Sequence, residues 1–356
     1  MAGVTTLLTE PVVLASAYSS IFEIGGVSVR IAGENENDVV LGPSLRAFSA
    51  NPRRLDVDIR VEWRGELFRG QERQLFDSGS VWQLYEREQG FQFDFISSSF
   101  GQQPYKRLVI DQQFRSAVLQ MSKKSFCRCC RTADPLDYPL DELLIMHRLT
   151  QERAIELHGC GIVRADGVGN LFIGHSGAGK STTTRLWTEF EDVEILSDDR
   201  IIVRCDEPAH PLRSEKKIAS EVIDESREQG ILRLRDGAAS RRSGPAQDDR
   251  TNVPEDNKIS MYGTPWHGEA RYASPGNAQL ARIFILEHGQ GNVLTLLSPP
   301  QAIAELLARS FVPFHRHQYV ASALQFLQEV VNRVPCYRYA FEPNQAAVER
   351  ILELRD

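Results

Sequence analysis

Residues 174–181 read Gly174-His175-Ser176-Gly177-Ala178-Gly179-Lys180-Ser181 and satisfy G-x-x-x-x-G-K-[ST]. No other stretch restricts the fold so tightly, because this pattern works only between a buried strand and the start of a helix. Both flanks comply. Asn170-Leu171-Phe172-Ile173 is an apolar run of strand length, and Ser181-Thr182-Thr183-Thr184-Arg185-Leu186-Trp187 opens a helix. Glycines let the backbone curl so that successive N–H groups point inward, and the helix that follows adds its positive end. The spacing predicts a phosphate cradle on Gly174, His175, Ser176, Gly177, Ala178, Gly179, Lys180, Ser181 and Thr182. Lys180 supplies a point charge for the outer phosphates, and the Ser181 hydroxyl is placed for Mg²⁺. The plainer alternative is a glycine-rich turn ahead of a helix; the complete pattern and both flanks weigh against it.

A short helix separates Lys180 from Val193-Glu194-Ile195-Leu196-Ser197-Asp198-Asp199, a strand ending in two carboxylates. A single Asp at a strand end serves as a turn residue or helix cap. Two adjacent ones, directly after a phosphate loop, read as a metal ligand and a base. In a parallel α/β layout the loop and this strand end face the same rim of the sheet. Upstream, residues 153–163 read as a strand carrying His158, where a lone His in an apolar run is usually a satisfied core residue.

Together, Glu156-Leu157-His158-Gly159, the hairpin-like Asp166-Gly167-Val168-Gly169, the glycine-rich loop and Ser197-Asp198-Asp199 resemble the catalytic domain of HPr kinase/phosphorylase. They resemble in particular the HPr-kinase-like proteins found outside sugar regulation. ATP-dependent phosphoenolpyruvate carboxykinase has the same core and an Asp-Asp pair after its loop. The resemblance covers residues 140–204, with a looser echo from Met261 onward. It implies an α/β catalytic domain with a phosphate loop and a mixed sheet, preceded by a β-rich N-terminal module that helps select the substrate. It also implies ATP and Mg²⁺ as cofactors, His158 near the phosphates, Asp198 as the base beside Lys180, and Asp199 with Ser181 on the metal. The family has a Glu flanked by Arg and Gly where this chain reads Met261-Tyr262-Gly263-Thr264-Pro265-Trp266-His267-Gly268-Glu269, a candidate active-site wall. Glu269 as a further metal ligand, and His267 and Arg271 as substrate or phosphate contacts, are what the resemblance offers in its place.

The implied activity is transfer of the γ-phosphate of ATP to a Ser or Thr hydroxyl on a peptide or protein. One rival is a small-molecule kinase. Another is a carboxykinase-like enzyme, which would need a second metal site and a basic cluster that the loop lacks. A third is an ATP-binding regulator without catalysis, against which the Asp198-Asp199 pair weighs, since binding alone needs no base.

With 356 residues the chain has room for two domains, and it divides at a Pro-containing linker into a β-rich module over 1–134 and the catalytic domain over 135–356. From Val12 to Ser122 the pattern alternates and reads as an antiparallel β module, with Gly25-Gly26 as a two-residue hairpin turn and residues 55–63 as a half-buried strand. Its aromatics read as core. Pro139 opens a helix with Leu140, Leu143, Leu144 and His147 on one face. Residues 213–258 hold ten basic and ten acidic residues and no Phe, Trp, Tyr or Cys. Such a stretch cannot bury much apolar area, so it reads as a mobile insertion or a lid. Strands at 281–286 and 337–341 and helices at 299–308, 318–331 and 344–354 complete an α/β order.

A net charge of −7 gives no global basic field, so neither nucleic acid nor an anionic membrane is an expected partner. There is no apolar run of spanning length, and Met1–Glu10 lacks the features of a secretion signal. Six cysteines in a chain of this size do not suggest a disulfide scaffold, and Cys127-Arg128-Cys129-Cys130 lacks a second ligand pair for zinc. The expected compartment is the cytoplasm; homo-oligomerisation is left open.

Overall fold

The computed structural model describes residues 17–70, 72–129, 134–190, 192–206 and 258–354. Two compact units divide the chain, residues 1–204 with 259–356, and residues 205–258. The polar stretch expected at 213–258 lies outside the described residues, Lys258 apart, as do Met1–Glu10 and Cys130. Among the described residues no helix is long and apolar enough to cross a membrane.

The first unit is mixed α/β, built on two mixed sheets. The first sheet comprises β1 (Tyr18–Ile24), β2 (Val27–Gly33), β3 (Val57–Arg64), β4 (Gln74–Asp77), β5 (Trp82–Arg87), β6 (Gly90–Phe95), β7 (Lys106–Asp111) and β8 (Ser116–Ser122), in the order β1-β2-β3-β8-β7-β6-β5-β4. The β1–β2 turn is the expected hairpin: Gly25 and Gly26 have φ of 58° and 72°, the left-handed pair that a tight turn between twisted strands requires. The sheet is not the all-antiparallel module that the alternation suggests. β3 runs parallel to both β2 and β8. Alternation reports the face a residue occupies and carries nothing about a neighbour's direction. The connection after β2 passes through a 3₁₀ turn (Glu36–Val39) and α1 (Pro43–Arg46) and so returns the chain in the same sense. β6 is buried along its whole length rather than on one face. Its polar residues are satisfied inside: Arg107 donates to Asp94 at 2.6 and 2.8 Å, and Gln92 Nε2 donates to Asp94 Oδ1 at 3.1 Å.

The second sheet comprises β9 (Ala154–Arg164), β10 (Gly169–Ile173), β11 (Val193–Ser197), β12 (Arg200–Cys205), β13 (Ile259–Tyr262), β14 (Asn277–His288), β15 (Val293–Leu296), β16 (Ser310–Phe311) and β17 (Cys336–Phe341). β10, β14 and β17 are parallel neighbours, and β9 is antiparallel to each of its partners. The remaining helices are α2 (Lys123–Cys129), α3 (Leu140–Leu149), α4 (Lys180–Phe190), α5 (Pro299–Leu307), α6 (His317–Arg333) and α7 (Gln345–Leu352). Trp187 of α4 and Ile351 of α7 pack with Cys160, Phe172, Phe284 and Tyr339 of the sheet into one apolar cluster. The two sheets touch directly. The β1–β2 turn sits on β12, where a Cβ at Gly25 would lie 2.5 Å from Ile202 Cδ1, and Arg204 Nη1 donates to Gly25 O at 3.1 Å.

α3 is not a one-faced helix: nine of its ten residues are buried. Its His147 lies among Phe93, Phe114 and His315, with ring centroids 5.1, 5.1 and 5.3 Å away. Nδ1 donates to Leu143 O at 2.7 Å, while Nε2 is buried without a partner. Burial pushes the His147 imidazole down to about 3 and that of His315 down to about 4. Both rings are therefore neutral in the folded protein, whereas in the unfolded chain they charge below about pH 6.5. Their stabilisation is complete above that value and is lost as pH falls toward 4. Asp141 and Glu156, raised by burial, act in the opposite direction. The informative quantity is therefore a difference between two proteins. Thermal melts between pH 7 and pH 4 should show a smaller fall in Tm for His147→Phe than for the wild type; equal falls would remove His147 as a source of acid sensitivity.

Candidate functional site

β9 is flanked on each side by two successive partners. On one side β11 pairs with residues 161–164 and β12 with residues 154–158. On the other, β10 pairs with residues 159–163 and β16 with residues 156–157. Both flanks break at the same level. Asp198-Asp199 occupies the break on the first side, where Gly159 N donates to Asp199 O at 3.1 Å. On the second side the chain leaves β10 at Gly174, and Arg309 takes over, its carbonyl accepting from His158 N at 2.8 Å. His158 and Gly159 thus stand between the glycine-rich loop and the two aspartates.

The loop joins β10 to α4 as expected from the sequence. Gly179 has φ of 107°, and a Cβ there would lie 2.5 Å from Phe341 Cζ, so both backbone and space demand glycine. Lys180 is the first residue of α4 and is 8% exposed. Its ammonium turns back over the loop and donates to Gly174 O at 3.0 Å and His175 O at 3.3 Å. Burial draws its pKa down, and Asp199 opposes that. His175, Ser176, Gly177 and Ser181 are exposed, Gly179 and Thr182 are half-buried, and Ala178 is buried. His288 Nε2 donates to Gly177 O at 2.7 Å and braces the loop from the end of β14.

Across β9, His158 Nε2 lies 2.9 Å from Asp199 Oδ1. The other Asp199 oxygen takes the Arg200 guanidinium. Burial by itself would raise the Asp199 carboxyl, but the His158 hydrogen bond, Arg200 and Lys180 outweigh it and hold the group below its ordinary value. Arg200 is held in turn by Glu142 at 2.9 Å and Glu156 at 3.5 Å, and it lies 4.1 Å from the centroid of the Phe311 ring. Glu156 is fully buried; burial, then the nearby Glu142, raises its carboxyl well above the ordinary range.

Asp198 is placed differently from the base that the resemblance implies. It is 3% exposed and accepts from Gly268 N at 3.0 Å, Ala270 N at 2.9 Å and Tyr272 N at 3.2 Å. A carboxylate offers about four lone-pair sites, and three are filled by these donors. The expected wall at Met261–Glu269 does reach the aspartates, but through its backbone. A Cβ at Gly268 would lie 2.9 Å from Asp198 Oδ2, while the side chains of His267, Glu269 and Arg271 are exposed. Arg271 adopts φ of 61° as the loop turns.

Among the described residues no group of three or more His, Cys, Asp and Glu gathers to hold a metal. Mg²⁺ needs no such cage, since one or two carboxylates with phosphate oxygens and waters suffice. The ionised Asp199 and the exposed Ser181 hydroxyl are donors of that kind. Sequence reasoning missed Arg200, Arg309, Glu142 and Glu156. A basic residue directly after two carboxylates was a legible signal for Arg200; Arg309 has no local signal at all. No protein-family model matches the chain, and no curated protein sequence matches it.

Removing the Asp198 carboxylate leaves three N–H groups without their acceptor. Asp198→Ala should lose about 2–4 kcal/mol in denaturant titrations, and Asp198→Asn, which retains one acceptor oxygen, less. Amide exchange at Gly268, Ala270 and Tyr272 should accelerate together in the alanine variant. A loss below about 0.5 kcal/mol would show that the loop does not depend on this carboxylate.

Proposed function

We propose that the chain is an ATP-dependent phosphotransferase of the HPr-kinase-like type, acting in the cytoplasm on a Ser or Thr hydroxyl of a peptide or protein. In this reading residues 135–356 carry out the transfer and the β-rich residues 1–134 help select the substrate. The reading rests on one observation above all: the Gly174–Ser181 loop and the His158–Asp199 pair face each other across β9 where both its flanks are broken.

The loop N–H groups and the α4 N-terminus would receive the phosphates of ATP. Lys180 now donates to two loop carbonyls, and phosphate oxygens would take their place. Asp199 and Ser181 would hold Mg²⁺, which when bound neutralises charge on the phosphate oxygens. With Nε2–H donated to Asp199, the lone pair of His158 is on Nδ1 and can accept the hydroxyl proton as the new O–P bond forms. This assigns proton acceptance to His158 rather than to Asp198. Asp198 shapes the wall, and the depressed pKa of Asp199 suits a ligand that must stay ionised.

Calorimetric titration with Mg-ATP, and transfer of labelled γ-phosphate to the proteins of a cell extract, test the reading. Lys180→Ala should abolish transfer and weaken Mg-ATP binding while melting like the wild type. His158→Ala should lower turnover by about 10²–10⁴-fold with little change in Mg-ATP affinity. A wild-type protein that binds no Mg-ATP at millimolar concentration would refute the proposal.

A further inference from the structure

The pairing of β9 lines up three side chains. Arg200 is the cross-strand partner of His158 on one flank. On the other, Ser310 pairs with Leu157 and Phe311 with Glu156, and His158 N donates to Arg309 O at 2.8 Å, which puts Arg309 opposite His158. Directly opposed residues present their side chains to the same face of a sheet. Arg200, His158 and Arg309 therefore form one row across the sheet beside the loop. The next row, Ile202-Glu156-Phe311, agrees with this parity, because Arg200 reaches both Glu156 and the Phe311 ring.

The two arginines differ in how they are engaged. Arg200 is held by Asp199, Glu142 and Glu156 and covered by Phe311. Arg309 donates through Nη1 to Glu305 O at 2.9 Å and Glu305 Oε2 at 2.5 Å, and its Nε is buried without a partner. The charge of Arg309 is felt at the loop: the Lys180 ammonium, lowered chiefly by burial, is lowered further by Arg200 and Arg309.

We propose that Arg309 is a catalytic arginine supplied in cis, whose guanidinium meets the non-bridging oxygens of the γ-phosphoryl group during transfer. This rests on the nucleotide placement proposed above. As the bond from the acceptor oxygen to phosphorus forms and the bond to ADP breaks, charge spreads over the three equatorial oxygens. A planar guanidinium already oriented by Glu305 matches those oxygens, and Arg309 keeps its proton while the hydroxyl proton passes to His158. Arg200, tied to three carboxylates, holds Asp199 in position and does not leave it.

Two probes separate ground-state from transition-state binding without any need to know the acceptor: Mg-ATP, and Mg-ADP with aluminium fluoride. The wild-type full chain should bind both in calorimetric titrations. Arg309→Ala should hold Mg-ATP within about threefold of the wild type and lose on the order of a hundredfold or more in affinity for the fluoride complex. Arg309→Lys, lacking the planar fork, should recover only a small part of that. Arg309→Gln keeps a donor for Glu305 without the charge and guards against loss of fold in the alanine variant. Unchanged affinity for both probes overturns the proposal. So does a parallel loss of both together with a lowered Tm, the mark of a structural residue. A wild type that binds Mg-ATP but not the fluoride complex keeps the nucleotide site and overturns the arginine's role. A wild type that binds neither overturns the phosphotransferase reading itself.

Discussion

The backbone pairing of β9 governs everything that could do chemistry in this protein. An interior strand must satisfy its N–H and C=O groups on both sides. Here each side is served by two partners, and the gaps between partners fall at one level. At such a gap the neighbouring chain is free to leave the sheet, and it does so as the glycine-rich loop on one side and as Asp198-Asp199 on the other. His158 lies where both departures occur. The site is thus a consequence of register, and a one-residue slip of β9 would turn His158, Glu156 and Cys160 to the opposite face together.

Charge is arranged around that register as a chain of opposites. His158 meets Asp199, Asp199 meets Arg200, and Arg200 meets Glu142 and Glu156. Burying ions costs several kcal/mol each unless partners recover the loss, so no member can be removed without leaving another buried and unmatched. Two carboxylates share a single arginine at the inner end, and the strongly raised Glu156 carboxyl is how the protein avoids two uncompensated negative charges there. The outer end, at Asp199 and His158, is only half-buried and faces the loop.

Much of this was legible in the sequence. The glycine pattern with its flanks located the loop, and Gly25-Gly26 located the first hairpin, because both are local and both depend on glycine's backbone freedom. The aspartate pair was found, yet the two residues look identical in sequence. What separates them is a set of N–H groups at 268, 270 and 272, supplied by a loop far along the chain. β16 was not legible, since two residues carry no periodicity, and Arg309 went unnoticed with it. The parallel placement of β3 was hidden for a different reason: alternation is the same in either direction.

The pairing of residues 156–157 with 310–311 also has a consequence in time. Contacts so distant in sequence form late, after more local structure has paid their loop-closure entropy. During synthesis the hairpin of β9 and β10 and the loop beyond it can assemble as soon as they emerge, but the second flank of β9 waits for Phe311. Until then the His158 amide has no carbonyl from Arg309 to fix it. A nascent chain would therefore carry the loop well before it carries a completed site, and a chain arrested before residue 309 would lack the row of side chains beside the loop altogether.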